Sequence, residues 1–71
     1  MKKHSVQLFS HPTSIFIEDE FWIELKKIAD SKNSSVQKII EEIDRNRRNN
    51  NLASAIRIFI LSYHIQKDDK G

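Results

Sequence analysis

The 71-residue chain contains no cysteine, a single proline and a single glycine, and each shortage closes off a class of function. Without thiols there is neither a disulfide framework nor a cysteine-based zinc site, and His4, His11 and His64 lack the spacing of metal ligands. No metal is therefore expected. The only glycine is Gly71, which removes both the dinucleotide fingerprint and the phosphate-cradling P-loop, so no nucleotide cofactor is expected either. No apolar run approaches the roughly 18 residues of a membrane span, and the opening MKKHSVQLFSHP lacks the long apolar stretch of a secretory signal. A chain free of disulfides and of these segments is expected in the cytoplasm and away from membranes. Catalysis is not expected, because the carboxylates cluster at a helix start with no histidine or thiol placed to act with them.

Apolar residues make up 38% and charged residues 31%, ordered along the chain in a way that disorder does not require. Below about 70 to 80 residues a single core seldom supplies more than roughly 3 to 5 kcal/mol without disulfides, metal or oligomerisation. Only the last remains, so one small domain that associates with itself is expected.

Charge is segregated. Residues 1–17 carry Lys2 and Lys3 and no acid, while residues 18–44 hold eight acids against four lysines, a net of −4. Residues 45–57 carry Arg45, Arg47, Arg48 and Arg57 and no acid, a net of +4. Such asymmetry suits an anionic partner that meets selected surfaces. Solvated surface charge, or pairing of the arginines with Glu41, Glu42 and Asp44, is the plainer reading of the same residues.

Residues 1–12 read as a basic arm with a candidate first strand at Ser5-Val-Gln-Leu-Phe9, and Thr13-Ser-Ile-Phe-Ile17 reads as a second strand after a Ser10-His11-Pro12 break. Period-two geometry sends Thr13, Ile15 and Ile17 to a core face and Ser14 and Phe16, with Pro12, to the other. Glu18-Asp19-Glu20 opens a helix over 18–31, where carboxylates suit the positive end of the backbone dipole. Phe21, Leu25, Ile28 and Ala29 form its apolar stripe, edged by Trp22. Asn33 can take a left-handed stop conformation. A second helix over 35–47 is capped by Ser35, with Val36, Ile39, Ile40 and Ile43 on one face. Asn49-Asn50-Asn51 breaks the chain before a third helix over 51–66, and 67–71 reads as a frayed tail. That third helix carries two apolar stripes, Leu52, Ile56, Phe59 and Tyr63 on one side and Ile58, Leu61 and Ile65 on another, with Ile60 between them. One chain offers too few surfaces to cover both, so the second is assigned to another copy.

The run Thr13-Ser-Ile-Phe-Ile-Glu-Asp-Glu-Phe-Trp-Ile-Glu-Leu25, followed by Ser34-Ser35 and Ile39-Ile40, resembles the ribbon-helix-helix family of DNA-binding regulators. A bacterial subgroup with an added third helix is closer still, given the HPTS start, Glu41-Glu42-Ile43-Asp44-Arg45 and Asn51-Leu52-Ala53-Ser54-Ala55. The resemblance implies a mainly α fold with a short N-terminal β-ribbon, β-α-α-α, in an intertwined homodimer. One strand from each chain would form the antiparallel ribbon that enters the major groove of double-stranded DNA. It places Ser14 and Phe16 on base edges, Phe16 departing from a commoner polar or basic residue and offering only apolar contact. It places Ser35, Val36, Gln37 and Lys38 on a phosphate at the N-terminus of the second helix. Family precedent does not settle Lys2 and Lys3, which as a basic arm beside the ribbon are expected to grip neighbouring phosphates. Ile15, Ile17, Phe21, Leu25, Ile40, Ile43, Ile56, Phe59 and Ile60 would form the shared dimer core.

Two alternatives stand beside this. The 5–9 strand either packs only or pairs with 13–17 and widens the ribbon, in which case Gln7, able to pair bidentately with adenine, joins the groove face. The whole chain is either a dimeric transcriptional regulator or an antitoxin-like interaction module that holds a protein partner through Phe16 and the third helix.

Overall fold

The computed structural model describes residues 2–47 and 51–69, with side chains up to Gln66; Met1, Arg48, Asn49, Asn50, Lys70 and Gly71 lie outside the described residues. The chain runs β1 (Lys2–Leu8), β2 (His11–Ile17), α1 (Asp19–Ser31), α2 (Val36–Asn46) and α3 (Leu52–Asp69).

Of the two readings of the first strand, the pairing one holds: a two-stranded ribbon forms within the chain. β1 and β2 pair antiparallel, with Lys3 opposite Phe16, Ser5 opposite Ser14 and Gln7 opposite Pro12. The order is therefore β-β-α-α-α, and Lys2, Lys3 and His4 belong to a strand rather than to an arm. The turn is Phe9-Ser10, not Ser10-His11-Pro12: both residues have positive φ, 52° and 69°. A two-residue turn with left-handed backbone at both positions matches the right-handed twist of the strands it joins. Neither residue is the glycine or asparagine that adopts it most readily, so other contacts must hold it. The Phe9 N–H donates to Glu41 Oε2 at 2.8 Å, and Arg45 lies over the Phe9 ring at 5.3 Å, so α2 clamps the turn from one side.

Strand alternation gives the ribbon two unlike faces. Leu8, Ile15 and Ile17 are buried and Val6 packs against them, while Lys3, Ser5, Gln7, Pro12, Ser14 and Phe16 are exposed. The buried row meets Leu25, Ile28 and Ala29 of α1, Ile39, Ile40 and Ile43 of α2, and Ala55, Ile56 and Ile60 of α3 in one core. Of the residues assigned to a dimer core, Ile15, Ile17, Leu25, Ile40, Ile43, Ile56 and Ile60 are already buried in the single chain, and Phe21 and Phe59 are half-buried. The hairpin supplies the apolar layer that an isolated strand could not.

Helix ends follow their local chemistry. α1 stops where Asn33 takes φ 53°, with Asn33 N–H donating to Asp30 O and Ser34 N–H to Ala29 O, a left-handed cap that satisfies the last carbonyls. Ser35 Oγ accepts from Lys38 N–H at 3.1 Å and opens α2. Asn51 Oδ1 accepts from Ser54 N–H at 2.8 Å and opens α3. α3 runs to Asp69, three residues beyond the expected end. It is not covered all round: Ile58, Leu61 and Ile65 are each more than half exposed.

Long-range ion pairs fasten α3 to the rest. Arg57 bonds Glu18 Oε1 through both Nε (2.9 Å) and an Nη (2.8 Å) and stands over the Phe21 ring at 5.8 Å. The guanidinium hydrogen bond holds the Glu18 carboxyl below its ordinary value of 4.5. A carboxylate depressed in the folded state binds fewer protons there than in the unfolded chain, so its contribution is complete above about pH 4.5 and fades as acid is added. In thermal melts from pH 6 to pH 3, Arg57→Gln is expected to flatten the acid-side fall in Tm; equal falls in both proteins would contradict this role. A second pair joins His64 Nε2 to Glu24 Oε1 at 3.0 Å, and this hydrogen bond lowers the Glu24 carboxyl as well. His64 therefore has a structural partner that its sequence position does not suggest.

Candidate nucleic-acid interface

The outward face of the ribbon carries two parallel rows, Lys3, Ser5 and Gln7 on β1 and Pro12, Ser14 and Phe16 on β2. It has no carboxylate, a lysine at one end and small hydroxyls in the middle. A small hydroxyl can donate to or accept from a base edge, and phenyl can meet a thymine methyl. Phe16 is 56% exposed although it sits in a chain whose other strand apolars are mostly buried. An aromatic held in water by a rigid scaffold is a feature of a contact surface.

The structure brings Ser14 and Phe16 onto this face together with Lys3, but not Lys2. Lys2 pairs opposite Ile17 and lines a hollow with Glu18, Asp19 and Glu20. The next residue on that inward face, His4, stacks on Trp22 with ring centroids 4.1 Å apart and interplanar angle 12°, and its Nε2 lies 3.8 Å from Asp19 Oδ1. This stack docks the start of β1 on α1. Trp22, half-buried, thus completes the support of the ribbon.

Ser35, Gln37 and Lys38 are exposed and Val36 is half-buried at the opening of α2. There the free backbone N–H groups and the helix dipole favour an anion. No acid lies in the first turn of α2 to occupy that position. The same helix reaches the hairpin turn through Glu41, which accepts from both Phe9 N–H and Gln37 Nε2. Ser35 precedes Glu41 by six positions, about 9 Å along the helix axis.

The arginine cluster disperses. Arg45 covers Phe9, Arg57 holds Glu18, and Arg47 bonds Asp44 one turn earlier in α2. Asp44 is thus the partner that the sequence made available, whereas Glu18, 39 positions from Arg57, is not. Arg48 lies outside the described residues. Among the described residues no group of three or more histidines and carboxylates could hold a metal ion, and no helix is long and apolar enough to cross a membrane.

A family model described as a ribbon-helix-helix domain matches residues 1–64. The chain belongs to the ribbon-helix-helix family. No curated protein and no solved structure gives a match. Ribbon-helix-helix proteins are, in general, DNA-binding regulators and antitoxins, with a non-enzymatic fold, and they typically dimerise. In this member the β1 row was not seen as one surface: Lys3 was a phosphate candidate on an arm, Gln7 a groove candidate only if the strands pair, and Ser5 was missed. Its signal was the alternation of Lys3, Ser5 and Gln7 with His4, Val6 and Leu8, hidden by the lack of a glycine or asparagine turn after it.

Proposed function

We propose that this ribbon-helix-helix chain is a cytoplasmic, homodimeric transcriptional regulator that lays its ribbon in the major groove of a pseudo-palindromic DNA site. The observation that carries this reading is the exposed, carboxylate-free outer face of the ribbon, rigidly backed by the core. Ser14 and Phe16 contact base edges. The backbone of Val36 and Gln37, with Ser35 and Lys38, holds a phosphate, and Lys3 adds a second phosphate contact. A two-fold protein reads two-fold DNA.

Base and phosphate contacts have different signatures. Ser14→Ala is expected to relax sequence preference, whereas Ser35→Ala weakens binding evenly across sequences and lowers stability by about 1 kcal/mol through the lost cap. Gel shifts on duplexes selected from a random pool and on random duplexes test the pair; identical behaviour of the two variants contradicts the assignment.

A second reading, a module that holds a protein partner, is favoured by the exposed row Ile58, Leu61 and Ile65 on α3. Salt separates the two. A DNA complex weakens steeply with ionic strength because counterions are released from the phosphates, and an apolar contact through α3 does not.

A further inference from the structure

Phe9 and Ser10 both hold left-handed backbone, at a steric cost that glycine escapes and asparagine tolerates best. A longer loop would avoid that cost, and Ser10 and Pro12 are residues that suit one. Something outside the turn must therefore select it. Phe9 lies beyond the last paired residues, Leu8 and His11, so the ladder leaves its N–H unused, and Glu41 Oε2 accepts it at 2.8 Å. The same oxygen accepts from Gln37 Nε2 at 3.5 Å, and Arg45, one turn further along α2, stands over the Phe9 ring. A carboxylate is a poor neighbour for an anion, and both the first turn of α2 and the outer face of the ribbon lack one. Glu41, half-buried, joins these two acid-free surfaces through Gln37 and Phe9.

Accepting the DNA-binding reading above, we infer that Glu41 is a positioning residue for base readout: its carboxylate selects the Phe9-Ser10 turn, and that turn sets which side chains of β1 stand beside Ser14 and Phe16. Register is the link. With Phe9-Ser10 at the tip, Ser5 faces Ser14 and Lys3 faces Phe16. The rival is a four-residue loop, Phe9 to Pro12, closed by Leu8 and Thr13, a common hairpin length. Burial cannot reject it. Because side chains alternate with period two, a slip of two residues keeps each on its own face, with Val6, Leu8, Ile15 and Ile17 still inward. It would nevertheless set Gln7 opposite Ser14 and Ser5 opposite Phe16, and so present a different arrangement of hydroxyl, amide and phenyl to the base edges. The hydrogen bond to Glu41 distinguishes the two registers where the apolar pattern does not. It also fixes the tip to the helix whose start holds the phosphate.

The test has two readouts on the full chain. Selectivity is the ratio of affinities for a duplex selected from a random pool and a shuffled duplex of the same length, and register is read in the free chain from the nuclear Overhauser contacts between Ser5 and Ser14. Glu41→Ala is expected to lower the ratio about tenfold or more, the size of one misplaced base contact, and to weaken the Ser5–Ser14 contact. Affinity for the shuffled duplex should hold or rise, because an acid has left the neighbourhood of the phosphates. Glu41→Gln keeps an acceptor for the Phe9 N–H and should stay within about threefold of the wild-type ratio. Phe9→Asn with Ser10→Gly builds the same turn from residues that adopt it unaided, so adding Glu41→Ala to that chain should leave both readouts in place. A wild-type ratio in Glu41→Ala, an equal loss of affinity on both duplexes, or a loss that Phe9→Asn with Ser10→Gly does not prevent overturns the inference while leaving DNA binding itself intact. Wild-type protein that binds neither duplex overturns the DNA-binding reading instead.

Discussion

Ile40→Ala is expected to leave most of the protein unfolded at room temperature. Ile40 is fully buried at the centre of α2, where the ribbon, α1 and α3 converge. Truncating a buried isoleucine removes apolar contact and leaves a cavity that the surroundings fill only in part, at a cost of about 2–5 kcal/mol. That is about the whole margin, roughly 3–5 kcal/mol, that a core of this size provides. Dimerisation adds stability that depends on protein concentration, so the helical circular dichroism signal of Ile40→Ala should recover partly as the protein is concentrated. Ile23→Ala serves as the control. Ile23 lies on α1 but is half exposed, and its truncation should shift the melting temperature by only a few degrees. Equal melting temperatures for Ile40→Ala and wild type would contradict the single core described above.

Phe16→Glu is expected to abolish specific DNA binding while leaving the fold intact. The side chain is more than half exposed, so stability depends little on it. In the complex the substitution loses an apolar groove contact and sets a carboxylate among phosphates, twice per dimer. At about 1–3 kcal/mol for each groove contact, the loss is on the order of a hundredfold in affinity or more. Phe16→Leu, which keeps an apolar side chain there, should lose about tenfold or less. Fluorescence anisotropy with a labelled duplex reads both. An affinity of Phe16→Glu within threefold of wild type would remove Phe16 from the interface.

The helices were legible in the sequence because their ends are local events. Asn33, Ser35 and Asn51 sit where a left-handed stop or a side-chain cap is needed, and their hydrogen bonds close within a few residues. The family resemblance likewise rested on contiguous runs. The pairing of the two strands was one of two readings left open, but its turn was not legible, because Phe9-Ser10 has poor intrinsic preference for it, and its hydrogen bond and ring contact reach it from Glu41 and Arg45, more than 30 positions away. The charge of Lys2 and Lys3 made β1 read as an arm when the His4–Trp22 stack holds it against α1. The alternation of β2 was readable and put Ser14 and Phe16 on the outer face, with Gln7 joining them if the strands pair, but the place of Lys3 and Ser5 on that face follows only from the register. Arg57 with Glu18 and His64 with Glu24 were hidden for the same reason: each pair joins α3 to the first helix region across about 40 positions.

The most direct measurement is an NMR titration of the isotope-labelled chain with a duplex selected from a random pool, following every backbone amide. The account predicts the largest shift changes at Lys3, Ser5, Ser14, Phe16 and Ser35 to Lys38, saturating together and vanishing at high salt. Changes confined to Ile58, Leu61 and Ile65, with the ribbon amides unmoved, would contradict it.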